Sequence, residues 1–258
     1  MPEPAGAADA AVRALLDDLE AEQHALLYLV RAIDADDWLR PTPARGWDVR
    51  DTIAHLADTD EMAIATATGR PGSLNERSEA GASGEDVTYR GVLHGRRRSG
   101  REVCAWFESS TTALREMFLS LDPGARVPWG IGMRPASLVT ARMMETWAHG
   151  LDVHAALGAA TVDTDRLGHI AWLATRALPY AYTVAGREPP GDPVRVELTL
   201  PSGAPWSTGP EDAPDRITGS AGEYCRVFVH RLAPSDASTL LAEGDAAADV
   251  LRVARAYL

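Results

Sequence analysis

Two distant stretches of this chain carry side chains of the kinds that hold metal ions. Glu145 and His149 stand four positions apart, and His55 lies far upstream. On a helix, a spacing of four sets two side chains about 40° apart around the axis and one turn apart along it, so one ion can reach both. His55 sits beside an apolar stripe. On a second helix it can point into the interior of an antiparallel bundle and supply a third ligand, an arrangement that bundle cores support. Two imidazole nitrogens and a carboxylate oxygen suit Zn²⁺ and leave a fourth position for a substrate. Spacing alone leaves other readings open. An E-x-x-x-H pair also arises as an exposed i,i+4 contact, and a histidine flanking an apolar face also serves as a hydrogen-bonded core residue.

The elements that must position these residues follow from periodicity and punctuation. Val12, Leu15, Leu16, Leu19, Leu26, Leu27 and Val30 recur at mostly three- and four-residue spacings, predicting a long amphipathic helix over 8–32. Pro41, Pro43 and Gly46 make 40–46 a turn, after which Asp48 is an N-cap and Asp51 adds favourable charge to a second helix, from Val49 to near Gly69. Weak periodicity and many Gly, Ser, Arg and Glu residues make 71–100 a long loop with room for a short helix. A third helix is expected over 102–121 and a fourth, capped by Ser137, to Leu157, ending at Gly158. A fifth spans 165–185 with a break at Pro179.

The composition changes after that. A breaker cluster at 188–193 precedes an alternating strand at 194–200, a hairpin near 201–203, a partner strand near Trp206 and a short strand at 217–220. Helices follow over 221–231 and 246–257. The expected organisation is therefore a helical domain, 1–187, and a small α+β domain, 188–258.

Bulk properties narrow the function classes. Of 258 residues, 45% are hydrophobic and 24% charged, which is enough apolar content for a core and argues against disorder. With 37 acidic residues against 25 basic ones the net charge is −12, the wrong sign for binding nucleic acid or an anionic membrane. Arg96, Arg97, Arg98 and Arg101 are the exception, a short run expected on a solvated loop, with an anion-binding patch as the alternative. Cys104 and Cys225 lie far apart and form no C-x-x-C pair, so no disulfide framework is expected. The first eleven residues lack a basic start and an apolar core, and no apolar run reaches roughly 18 residues, so the expected location is the cytoplasm.

The stretch Gly46-Trp47-Asp48-Val49-Arg50-Asp51-Thr52-Ile53-Ala54-His55-Leu56 and the later Met144-Glu145-Thr146-Trp147-Ala148-His149-Gly150-Leu151-Asp152-Val153 resemble the paired signatures of the mycothiol-dependent maleylpyruvate isomerase family. That family belongs to the DinB-like metal-binding four-helix bundles. The resemblance implies that His55, Glu145 and His149 are the metal ligands, the same three that spacing nominates. It extends to a small sterol-carrier-like C-terminal domain, whose pattern Trp206, the 217–220 stretch and Glu243-Gly244-Asp245 fit. Asp48 stands where relatives often carry Thr or Ser; either type caps a helix. The divergent 71–100 segment places the chain in a branch apart from the isomerase proper.

What this implies is a zinc-dependent enzyme that lowers the pKa of a small thiol, mycothiol in the family. The thiol adds to an electrophilic small molecule, ending in cis–trans isomerisation or S-transfer. The contrasting reading is a non-catalytic module, stabilised by its metal, that binds an apolar ligand or a protein partner. Asp152, three residues beyond His149, and Asp58, at the same offset from His55, are each placed to orient an imidazole; an exposed helix acid is the other reading of both and the preferred one for Asp58. Trp129, in a loop, is the candidate wall of the thiol pocket, while Trp47 and Trp147 are read as core packing. His154 and His169 are read as packing or surface residues. By resemblance, Arg231 is the catalytic residue that holds an anionic group of substrate or thiol.

Overall fold

The computed structural model describes residues 5–79, 84–130 and 132–256, which divide between Thr161 and Val162 into two compact units. The first unit holds α1 (Ala5–Arg31), α2 (Val49–Thr68), α3 (Leu74–Glu79), α4 (Gly84–Gly95), α5 (Gly100–Ser120) and α6 (Pro135–Leu157). The long helices α1, α2, α5 and α6 form the bundle. Of the expected stripe of α1, Leu16, Leu19, Leu26, Leu27 and Val30 are buried and Val12 and Leu15 partly buried. They divide between two clusters: one gathers Ile53, Leu56, Val103, Phe107 and Val153, the other Ala63, Leu114, Phe118, Leu138 and Met143.

Helix α2 begins where its capping chemistry dictates. Asp48 Oδ1 accepts the Asp51 N–H at 2.7 Å, and Asp51 Oδ2 accepts the Asp48 N–H at 3.4 Å, so two N–H groups that the helix cannot satisfy internally are paired. Gly69, at φ +67, ends it. Helix α6 starts at Pro135 rather than at a Ser137 cap, because proline in the first turn fixes a helical φ and lacks only an N–H that would be unpaired anyway.

The segment expected as a loop, 71–100, is largely helical: its described residues form α3 and α4, and positions 80–83 lie outside the described residues. The periodicity was weak because α4 docks through glycines. A Cβ on Gly91 would lie 2.5 Å from Asp58 Cβ, and one on Gly95 2.3 Å from Ala54 Cβ, so the backbones of α4 and α2 approach too closely for any side chain. Val87 and Val92 are buried, and Arg77 on α3 grips the buried Asp58 through two hydrogen bonds of 2.5 and 3.1 Å.

In the second unit, α7 (Leu167–Arg176) and α8 (Leu178–Val184) precede β1 (Val194–Thr199), β2 (Pro205–Thr208), β3 (Asp215–Ser220), α9 (Ala221–Phe228), β4 (Leu241–Glu243) and α10 (Asp245–Val253). The compact division thus falls at 161/162 and not at the composition change near 188. Helix α7 is the reason: it packs on α9, where Cys225 Sγ contacts the Leu167 carbonyl at 3.6 Å and Thr175 Oγ1 bonds the Tyr224 hydroxyl at 3.1 Å. The chain breaks at Ala177, since Pro179 cannot continue α7 but fits the first turn of α8. The sheet has the order β2-β1-β3-β4, with β1 and β3 parallel and both edge strands antiparallel to their neighbours. Val196, Leu198 and Ile217 turn inward. Strand β4 was not expected, and α10 ends at Val253, with Tyr257 outside the described residues. Among the described residues no helix is long and apolar enough to cross a membrane.

Candidate metal centre

Helices α2 and α6 bring the three nominated side chains together. His55 Nε2 lies 3.6 Å and His149 Nε2 3.5 Å from the same oxygen, Glu145 Oε2, and the three potential ligand atoms all lie within 4.8 Å of one another. Such separations are too long for an N–H···O hydrogen bond, which centres on about 2.9–3.0 Å. They suit an ion between them: bonds of roughly 2.0–2.1 Å at tetrahedral angles put neighbouring ligands ~3.4 Å apart. The donor set, two nitrogens and one carboxylate oxygen, therefore fits a divalent ion both chemically and by spacing. Among the described residues this is the cluster with that property.

At His55 and Glu145 the electrostatics favour the same use. Burial lowers the pKa of His55, so its ring stays neutral and its lone pair available. Burial alone would push the Glu145 carboxyl up, yet the two imidazoles that face it, His149 first and then His55, hold it well below the usual carboxylate range. At His149 burial acts to lower the pKa, but Asp152 and Glu145 outweigh it and the net shift is upward. The Glu145 side chain keeps 22% of its exposure and that of His149 14%, against 6% for His55, so the cluster can be reached from the Glu145 side.

Asp152 is itself buried, 1% exposed, and its Oδ2 lies 3.2 Å from His149 Nδ1, turning Nε2 toward Glu145. Asp58 does not play the corresponding part at His55, because Arg77 holds both of its oxygens, and His55 Nδ1 is buried with no hydrogen-bond partner among the described residues. The ring against the imidazoles is that of Trp47, whose centroid lies 4.9 Å from His55 and 5.8 Å from His149, nearly parallel to the latter at 24°. The two imidazoles meet edge to face at 4.8 Å.

Residues 19–154 match the family model described as the mycothiol maleylpyruvate isomerase N-terminal domain. The chain belongs to this family. Two relatives in Mycobacterium tuberculosis, uncharacterised proteins of the CDC 1551 / Oshkosh and ATCC 25618 / H37Rv strains, are each 39% identical over 241 residues, 93% of this chain and 93% of theirs. Crystal structures of the mycothiol-dependent maleylpyruvate isomerase, one of them a histidine-to-alanine mutant, match over 90% of this chain and 92% of theirs with a TM-score of 0.58. At 16% identity that likeness establishes a shared fold.

Within this family member the remaining nominated residues fall as follows. Trp129 packs, partly buried, against the cluster of Leu16, Leu114 and Met143, and the ring that meets the imidazoles is that of Trp47. The loop carrying Trp47 has to return onto α2 as Thr42 N–H bonds the Trp47 carbonyl at 2.9 Å, and that brings the ring over the histidines. Trp147 is buried, as expected. His154 on α6 and His169 on α7 stand outside the ligand cluster. Arg231 follows α9 in the second unit, and its Nη1 donates to the Val229 carbonyl at 2.7 Å.

Sequence reasoning missed Arg96. It leaves the solvated run to fork onto Asp51, with Nη2–Oδ2 at 2.7 Å, while Nη2 also donates to the Gly46 carbonyl at 3.0 Å. It thereby ties the end of α4 to the α2 cap and to the residue before Trp47. The available signal was Asp51, an acid that a helix start can bury only if a cation covers it.

Proposed function

We propose that this chain is a metal-dependent enzyme that activates a low-molecular-weight thiol, mycothiol, for addition to an electrophilic small molecule, with cis–trans isomerisation or S-transfer as the outcome. The observation that carries the proposal is the approach of His55 Nε2 and His149 Nε2 to one oxygen of Glu145, at distances too long for hydrogen bonds, with the three ligand atoms within 4.8 Å of one another. Family membership supports it, and so does the name of the isomerase whose fold the chain shares.

In this reading His55, Glu145 and His149 hold the ion and Asp152 fixes the His149 ring so that Nε2 presents its lone pair. A bound Zn²⁺ stabilises a thiolate over a thiol, which makes the sulfur a nucleophile at neutral pH. Trp47 closes one side of the cluster with an apolar face and leaves the Glu145 side for the thiol and its partner. Arg231 is assigned to an anionic group of substrate or thiol, because a guanidinium matches a carboxylate in geometry and charge. A cytoplasmic location belongs to the same reading.

Elemental analysis of the purified protein tests the metal. One divalent ion per chain is expected, reduced to a trace in His149→Ala. Maleylpyruvate and mycothiol, with and without chelator, test the chemistry. A protein with no stoichiometric metal, or one whose metal content is indifferent to His149→Ala, would refute the proposal. A tightly held ion with no thiol-dependent turnover would favour a metal-stabilised binding module instead.

A further inference from the structure

One α-turn from Glu145, the interface between α2 and α6 contains an arginine with almost no access to solvent. Arg142 is 2% exposed and its partner Asp60 is 0% exposed. Arg142 Nε donates to Asp60 Oδ1 at 2.8 Å, and Nη2 donates to Thr59 Oγ1 at 2.9 Å and to the Leu56 carbonyl at 3.5 Å. The Thr59 hydroxyl in turn contacts the His55 carbonyl at 2.8 Å and that of Leu56 at 3.1 Å. A side chain of α6 thus grips the backbone of α2 at the turn that carries His55, three residues before its own helix presents Glu145.

Such a pair is poorly explained as a stabilising device. Desolvating two charges offsets most of their attraction, and well-packed apolar residues of similar volume often serve stability as well or better. Asp60 Oδ2 is also left buried without a hydrogen-bond partner among the described residues, which makes the arrangement costlier still. What the guanidinium fork supplies that apolar packing does not is register. Its donors fit only one axial offset between α2 and α6, and that offset sets whether His55 meets Glu145 and His149 at one point.

We infer that Arg142, anchored on Asp60, is a positioning residue for the metal centre: through Thr59 and the Leu56 carbonyl it fixes the α2–α6 register that brings His55 to the ligands of α6. The inference rests on the metal-centre reading, and the test separates the two. Zn²⁺ affinity is measured by chelator competition on the full chain for the wild type, Arg142→Met/Asp60→Leu, Thr59→Val and Thr59→Ser, with thermal unfolding of each in the metal-free state.

The double variant is expected to unfold at or above the wild-type temperature yet to bind Zn²⁺ roughly 10- to 100-fold more weakly, the range typical of losing support behind a ligand. Thr59→Val is expected to weaken binding in the same direction, and Thr59→Ser, which keeps the hydroxyl, to restore it. A purely structural role would move unfolding and leave affinity alone. Wild-type affinity in a folded double variant overturns the inference, and so does Thr59→Val binding as tightly as Thr59→Ser. A wild-type protein that binds no Zn²⁺ overturns the metal-centre reading and takes this inference with it.

Discussion

Replacing Gly91 with alanine tests the claim that α4 is a built element docked through its glycines. In a helix interior alanine is favoured over glycine by about 1 kcal/mol, so in open space the change would stabilise. Here the new Cβ would stand 2.5 Å from Asp58 Cβ and 3.1 Å from the Ala54 carbonyl oxygen, where ordinary contact begins near 3.4 Å. Asp58 cannot step aside, because Arg77 grips both of its oxygens. Overpacking of this kind costs about 1–3 kcal/mol, and the rigid neighbour argues for the upper half. The net expectation is a loss of about 1–2 kcal/mol, or roughly 2–8 °C in the unfolding midpoint for a domain of this size. Gly150 supplies the control. It lies within α6, and a Cβ there meets nothing within 4 Å, so Gly150→Ala should gain up to about 1 kcal/mol. The assay is thermal unfolding by circular dichroism, with hydrogen exchange of the α4 amides to localise the effect. If Gly91→Ala matched Gly150→Ala, the glycine-docked interface would be refuted.

Asp152→Asn keeps the shape of the side chain but removes the charge beside His149 Nδ1. Metal affinity should fall about 10- to 100-fold, or ~1.4–2.8 kcal/mol, by chelator competition; unchanged affinity would mean that the contact does not orient the ring. In the second unit, burial acts to raise the pKa of Glu223, but bonds from Thr239 and Ser238 prevail and bring it to about 2, against an ordinary 4.5. A depressed folded-state pKa contributes stability that is present above pH 4.5 and is lost as pH falls toward 2. Glu223→Gln should therefore destabilise the unit at neutral pH by about 1 kcal/mol, after discounting for solvent screening. Calorimetry from neutral to acid pH should show the difference shrinking below pH 4.5; a constant difference would contradict the assignment.

The sequence alone specified what is local. Asp48 followed by Asp51 marks the start of α2 because capping involves only neighbours in the chain. Gly69 and Gly158 mark helix ends for the same reason, and the stripe of α1 declares its buried face. The pair Glu145 and His149 was legible from helical spacing, and His55 from an imidazole beside an apolar stripe together with the family signature. The tertiary structure decided everything that depends on another segment's backbone. Gly91 and Gly95 read as loop residues because the surface that needs them, Asp58 and Ala54, lies on a helix distant in sequence. Arg96 read as a solvated charge until Asp51 and the Gly46 carbonyl were seen within its reach. Trp47, read from the sequence as core packing, faces the imidazoles because a loop's direction is set by where it is tied, here to Thr42 and Arg96. The compact units divide at 161/162 because α7 packs on α9, a contact between residues tens of positions apart. Local propensity and spacing are properties of a few consecutive residues, whereas which ion pair forms, which ring stacks and which helices touch depend on long-range packing that no window of the sequence contains.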